Sequence, residues 1–277
     1  MTTPEQQKLI ESLTNERFKP YLDEAAGRFT DPIEAEDRAL ELYKWAMELA
    51  GLFHVQICYL EVALRNALSR EIEAWNSSQI GASVWTSKRE TALDNVIDSR
   101  KIRKASNDTK KDKGQSYTPN YHDIIAKLTF GFWVNLLQDE ETNPAKYHWL
   151  SPDKLKQNLH DKRRRNNYRA QLWASCLEKS FPFRQRNESL SADREQISKQ
   201  VSSIHQLRNR ISHHDNILKV RYGNRLHEIL GLLGSIGGQK LVDESLFIPL
   251  REHIQADPRK RWNSHAPGLD PKLSENF

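Results

Sequence analysis

Apolar residues recur along most of this chain at intervals of three and four, the period of a helix with one buried face, and no alternating strand pattern persists. The clearest run begins at Asp31-Pro32, an N-cap residue followed by a proline at the first helical position, and continues to about Trp75. Within it Phe53, Ile57, Leu60, Leu64 and Leu68 are spaced four, three, four and four, so a helix of about forty residues is expected as the spine of a bundle. Gly51 is the one position expected to bend or interrupt it, at about 1 kcal/mol relative to alanine.

Shorter helices are predicted over Pro4–Leu13 and Phe18–Ala26 ahead of this spine, the second ended by Gly27. Behind it come Ser87–Ala105, His122–Leu137 with its Phe130-Gly131-Phe132-Trp133 run, and a basic helix from about Asp161 to Ser180 stopped by Pro182. Asn107–Asn120 reads as a mobile, basic linker because it has no apolar period. A helix capped by Ser191, with Asp193 and Glu195 in its first turn, carries the stripe Ile197, Val201, Ile204, Leu207 and Ile211. Helices near Arg221–Leu233 and Gln239–Ile254, separated by a GSIGG turn, close the bundle. The expected organisation is a single helical domain over residues 1–255 and a polar tail over 256–277. The aromatic run is assigned to the core rather than to base stacking.

Composition agrees with an all-α protein: 37% hydrophobic, 29% charged, and only 11 each of Gly and Pro in 277 residues. The two cysteines, Cys58 and Cys176, fall in predicted helices without ligand spacing, which gives neither a disulfide framework nor a zinc site. The N-terminus has no basic-then-apolar leader pattern and no later segment reads as a membrane span. A cytoplasmic protein with no membrane association and no cofactor is therefore expected. The net charge of +5 is concentrated in runs at Arg100–Lys104, Lys110–Lys113, Lys162–Arg169 and Arg259–Arg261. Singly such runs are more often solvated helix faces, but together with a phosphate-competent motif they point to nucleic acid.

The chemistry concentrates in Leu207–Asp215, LRNRISHHD, at the end of the last long amphipathic stretch. Asn209 and His213 are four apart and share a helix face, and Arg208 lies about a hundred degrees round from Asn209, within reach of the same place. An arginine fork can hold the free oxygens of a phosphodiester, and a histidine with a pKa near 6.5 can take a proton from a ribose 2′-hydroxyl or return one to a leaving 5′-oxygen. The same residues can instead be cations gathered to satisfy the last carbonyls of a helix and complement its dipole. A metal site from His205, His213, His214 and Asp215 has no familiar ligand spacing.

Three stretches in order, LEVALRNAL at Leu60–Leu68, KLTFGFWVNLL at Lys127–Leu137 and LRNRISHHDNI at Leu207–Ile217, resemble the Abi-like (abortive-infection, AbiD/AbiF-type) branch of the HEPN superfamily, over about Tyr21 to Ile254. The resemblance implies a HEPN-type helical bundle with additional N-terminal and peripheral helices. It implies a metal-independent endoribonuclease of anti-phage defence, with Arg208 and His213 as the catalytic pair, Asn209 supporting them and His214 within the permitted spacing. It also implies RNA as substrate, tRNA among the candidates, and a homodimer with a composite active site. Arg163, Arg164, Arg165 and Arg210 are the accompanying RNA-binding candidates. An antitoxin and a phage trigger are left open. The position two beyond His213 is Asp215, where superfamily toxins controlled by a nucleotidyltransferase often carry tyrosine. The alternative is a non-catalytic HEPN-like module that binds RNA or a protein.

Overall fold

The structure, a computed structural model, describes residues 4–263. Among them it is all-α, with helices and short 3-10 turns and no strand. The helices are α1 (Pro4–Ser12), α2 (Asn15–Ala26), α3 (Pro32–Ile80), α4 (Thr91–Val96), α5 (Ser99–Lys113), α6 (Tyr121–Lys127), α7 (Phe130–Leu137), α8 (Pro152–Ser175), α9 (Leu190–Ser212), α10 (Tyr222–Gly237), α11 (Ile248–Gln255) and α12 (Pro258–Asn263). The chain groups into two compact units. One comprises the chain up to Tyr59, Gln206–Ile229 and the chain from Asp243; the other comprises Leu60–His205 and Leu230–Val242.

The spine is α3, and it is longer than its periodicity suggested because Asn76 closes its C-terminal turn. The Asn76 amide donates to the carbonyls of Ala82 and Lys88 and its oxygen accepts from the Glu90 N–H, so the chain leaving the helix is folded back onto it. Gly51 does not interrupt the helix. Leu49, Phe53, Ile57, Leu60, Leu64 and Leu68 are all buried, as their spacing predicts. Contrary to the expectation that no segment has a spanning length of apolar residues, α3 contains an 18-residue window of mean hydropathy 1.3, and 33% of that window is buried. By length and composition it meets the requirement for crossing a membrane, as the core helix of a soluble protein also does.

Two predicted helices are each split. Ser87–Ala105 becomes α4 and α5, parted where Asp98 caps α5 by accepting from the Arg100 N–H at 2.9 Å. His122–Leu137 becomes α6 and α7, and α6 starts in a capping box in which Asn120 and Asp123 each accept the other's backbone N–H. The expected linker over 107–120 is helical as far as Lys113, because Ile102, Ala105 and Thr109 form a narrow buried face. Likewise the expected tail begins later than residue 256. Asp257, Arg259 and Trp262 are buried, while the remainder, 264–277, lies outside the described residues. The helix expected over Gln239–Ile254 is shortened to α11, led in by a 3-10 turn at Glu244–Phe247 and by Pro249 near its start.

In the second unit, Phe130, Phe132 and Trp133 are core, at 3% exposure or less, as assigned. Gly131 has a specific reason to be glycine: a Cβ there would stand 3.1 Å from Nε2 of His205 on α9. The His205 ring packs edge-on to Phe130 at 5.6 Å. The second sequence motif is thus fitted to α9 at His205, within this unit.

The start of α9 is fixed by a buried ion network that the sequence did not announce. Ser189, not Ser191, caps it, its Oγ accepting from the Ala192 N–H at 3.2 Å. Asp193, 3% exposed, accepts from Nε of Arg184 at 2.9 Å and from the backbone N–H of Asn187 at 2.6 Å. Arg184 also pairs with Glu178 at 2.7 Å and lies over Trp173. Burial pushes the Asp193 carboxyl up, but the bonds from Asn187 and Arg184 outweigh it and hold it below the usual carboxylate range.

Candidate active site at the end of the motif helix

The last turn of α9 is closed by its own backbone. The N–H of His213 donates to the Asn209 carbonyl at 3.0 Å, that of His214 to Ile211 at 3.0 Å and that of Asp215 to Arg210 at 2.8 Å. The last two are the paired bonds of a Schellman stop, which requires a left-handed residue at the position His214 occupies. His214 has φ 54°, and it is the one non-glycine residue with positive φ among those described. Glycine ordinarily fills this place, because the left-handed conformation costs other L-residues about 1–2 kcal/mol. The side chain of His214 is exposed, so burial does not offset that cost.

This geometry bears on the capping reading of the motif. If the cations were present to satisfy the helix's last carbonyls, their side chains would bond them. Instead the carbonyls of Asn209, Arg210 and Ile211 are taken by backbone N–H groups. The His214 carbonyl is taken by Nη1 of Arg17, reaching from α2 at 3.1 Å. Arg210 alone turns inward, donating from Nη1 to the Asn216 carbonyl at 3.1 Å. Among the described residues the Arg208 guanidinium and the imidazoles of His213 and His214 have no hydrogen-bond or ion-pair partner. Arg208 and Asn209 are half-buried and both histidines are exposed. His213 stands one turn beyond Asn209 on the same face, and Arg208 flanks them, as the spacing predicted.

The chain beyond the motif is anchored firmly. Asn216 caps it by accepting from the Leu218 N–H at 2.7 Å, and the Tyr222 hydroxyl donates to the Ile217 carbonyl at 3.0 Å. Arg259 of α12 donates to the Leu218 carbonyl at 3.4 Å while held by Asp257 at 2.6 Å, and it lies over Trp45, which packs edge-on to Tyr222. Burial raises the Tyr222 hydroxyl pKa well above its ordinary value, so it serves as a neutral donor. These contacts leave the histidines on a rigid platform rather than on a loose loop.

The other basic candidates divide. Arg165 is bound to Glu140 by two hydrogen bonds, at 2.6 and 2.7 Å, and buried Arg169 shares the same carboxylate at 3.1 Å. Arg100 pairs with Asp98, Lys111 with Asp108, Lys113 with Asp123 and Arg261 with Glu41. Arg163 and Arg164 are exposed and have no ion-pair partner among the described residues, and Arg103 and Lys104 share that state. The Arg65 side chain of the first motif donates to the Ala126 carbonyl at the end of α6, at 3.3 Å. Among the described residues no group of three or more His, Cys, Asp or Glu is arranged to hold a metal ion.

Neither a curated protein nor a solved structure matches the chain. Residues 13–219 match the family described as Abi-like protein, a span that takes in all three motifs and ends just past the anchored turn. With that match over most of its length, this chain belongs to the Abi-like protein family.

Proposed function

We propose that the protein takes part in abortive-infection defence, as membership of the Abi-like family suggests. Within that role we propose that the protein is a metal-independent endoribonuclease of HEPN type, with Arg208 and His213 as its reacting residues. One observation carries the reading: an arginine and two histidines present their side chains at a helix end where the carbonyls of Asn209, Arg210 and Ile211 are taken by backbone N–H groups, one histidine being held in a backbone conformation unfavourable to it. Residues kept for capping would not be arranged so.

In this reading Arg208 binds the non-bridging oxygens of the scissile phosphate and neutralises the charge that grows as the 2′-oxygen attacks. The His213 imidazole accepts the 2′-hydroxyl proton or returns one to the departing 5′-oxygen. A single histidine supplies one of these transfers, and the second comes from His214 or from the same motif of a partner subunit in a homodimer. Asn209, on the face of His213, orients the imidazole or the phosphate. Arg210, and separately Arg163 and Arg164, contribute cations for backbone phosphates. The products are a 2′,3′-cyclic phosphate and a 5′-hydroxyl.

The test is a matched pair of oligonucleotides in EDTA, one all-RNA and one with a single 2′-deoxy substitution at the cut position. The proposal expects cleavage of the first, with a cyclic phosphate end, and none at the substituted position in the second. Equal cleavage of both would remove the 2′-hydroxyl from the mechanism. Tight binding without cleavage of either would favour the binding-module reading.

A further inference from the structure

The second unit contains a cleft of about 470 Å³ between the turn joining α4 to α5, the C-terminal half of α7 and the middle of α8. Its charged lining is Arg100, Lys101, Arg165 and Arg169 against Asp98 and Glu140, a surplus of two positive charges in a space the size of a small-ligand site. The floor is apolar, with Ile97, Phe132 and Leu136 each 6% exposed or less. None of these residues belongs to the motif at the end of α9.

The cations are held with donors to spare. Glu140 orients Arg165 through Nε and Nη2, which leaves Nη1 without a partner among the described residues. Arg169 fixes that carboxylate from behind and is itself fixed by the Asn135 carbonyl at 2.7 Å. Asp98 holds Arg100 through Nε and Nη2, again leaving Nη1. Lys101 has no hydrogen-bond or ion-pair partner among the described residues. Two arginine forks held by carboxylates, Arg165 half-buried and Arg100 with Lys101 at the exposed rim, around a site with an apolar floor are the chemistry of phosphate recognition.

We infer that this cleft binds a phosphomonoester dianion, as a small phosphorylated molecule or as the 5′-phosphate end of an RNA. The charge surplus equals what a phosphomonoester carries when fully ionised, about −2. A backbone phosphodiester carries half as much. Desolvation in the cleft lowers the Lys101 ammonium below its usual range, Asp98 offsetting part of the effect and Arg169 adding to it. A bound dianion would supply the counter-charge that Lys101 lacks.

Calorimetric titration of the full chain with inorganic phosphate, AMP, adenosine, and one oligoribonucleotide carrying either a 5′-phosphate or a 5′-hydroxyl tests this. Phosphate and AMP are expected to bind and adenosine not to. Lys101→Ala should weaken AMP binding about tenfold or more, since a charged hydrogen bond contributes on that scale, while Lys199→Ala, on α9 outside the cleft, leaves it unchanged. Lys101→Gln, which keeps the side-chain length, serves if the alanine variant is poorly folded. AMP tighter than the 5′-phosphorylated RNA identifies a small molecule as the source, and the reverse order identifies an RNA end. Absence of phosphate and AMP binding at concentrations on the order of 10 mM, or binding indifferent to Lys101, would overturn the inference. The phosphate, AMP and adenosine readouts involve no RNA and the oligonucleotide arms are run on His213→Ala, so the cleft stands or falls separately from the nuclease reading.

Discussion

Replacing His214 by glycine distinguishes a residue retained for its side chain from one retained for the fold. The left-handed backbone costs a non-glycine residue about 1–2 kcal/mol, and glycine returns about 0.4–1 kcal/mol of that through the greater freedom of its unfolded chain. The imidazole is exposed and makes no hydrogen bond among the described residues, so little packing is lost. The bond from Arg17 ends on the backbone carbonyl, which the variant keeps. His214→Gly should therefore be more stable than wild type by about 0.5–1 kcal/mol, and its melting temperature higher by about 1–4 °C. Urea unfolding followed by circular dichroism reads the change directly, as a shift in midpoint at constant slope. RNA cleavage by the same preparation should fall. Loss of stability by a similar amount would refute the reasoning, because it would mean that the imidazole holds the helix end and that the strain argument is mistaken.

Three other outcomes follow from the fold. Gly51 lies mid-helix on the exposed side of α3 with nothing within 4 Å of a Cβ, so Gly51→Ala should stabilise by about 1 kcal/mol in the same urea assay. Asp193→Ala leaves Arg184 buried with one carboxylate fewer and should cost about 3 kcal/mol or more. Because folding lowers the Asp193 pKa, its contribution is complete above the ordinary carboxylate range near pH 4 and is lost as pH falls through the lower native value. Wild type and Asp193→Asn should therefore converge in stability below pH 4, and a constant gap down to pH 2 would contradict the assignment. Gly131→Val would drive its side chain into the His205 ring and should cost about 1–3 kcal/mol, seen as a lower melting temperature; an unchanged one would mean that the contact is not tight.

The parts of this fold that could be read from sequence are those where a single face repeats without interruption. The buried stripe of α3 lies where its spacing put it, and so does that of α9 as far as Leu207, with Ile211 only half-buried. The breaks inside Ser87–Ala105 and His122–Leu137 were hidden because the residues beside them, Ile97 and Leu128, are buried too, and apolar periodicity continues through each turn. The available signals were polar: Asp98 as an N-cap, and the Asn120/Asp123 box. Lysine-rich 107–113 looked like linker because its buried face is only one residue wide. Arg165 and Arg169 could not be told from Arg163 and Arg164 along the sequence, since Glu140 lies 25 residues before Arg165. The motif residues themselves were evident, but the left-handed stop was not, because glycine is its usual marker and histidine stands in its place.

The central claim, that Arg208 and His213 perform phosphodiester cleavage, is tested most directly by single-turnover rates on labelled RNA in EDTA for wild type, Arg208→Ala and His213→Ala, each first shown to melt like wild type. Removal of one proton-transfer group is expected to slow cleavage by about 100-fold or more, with a comparable loss for the arginine, and to leave RNA binding by His213→Ala close to wild type. Rates equal in all three proteins would contradict the account and place the activity elsewhere.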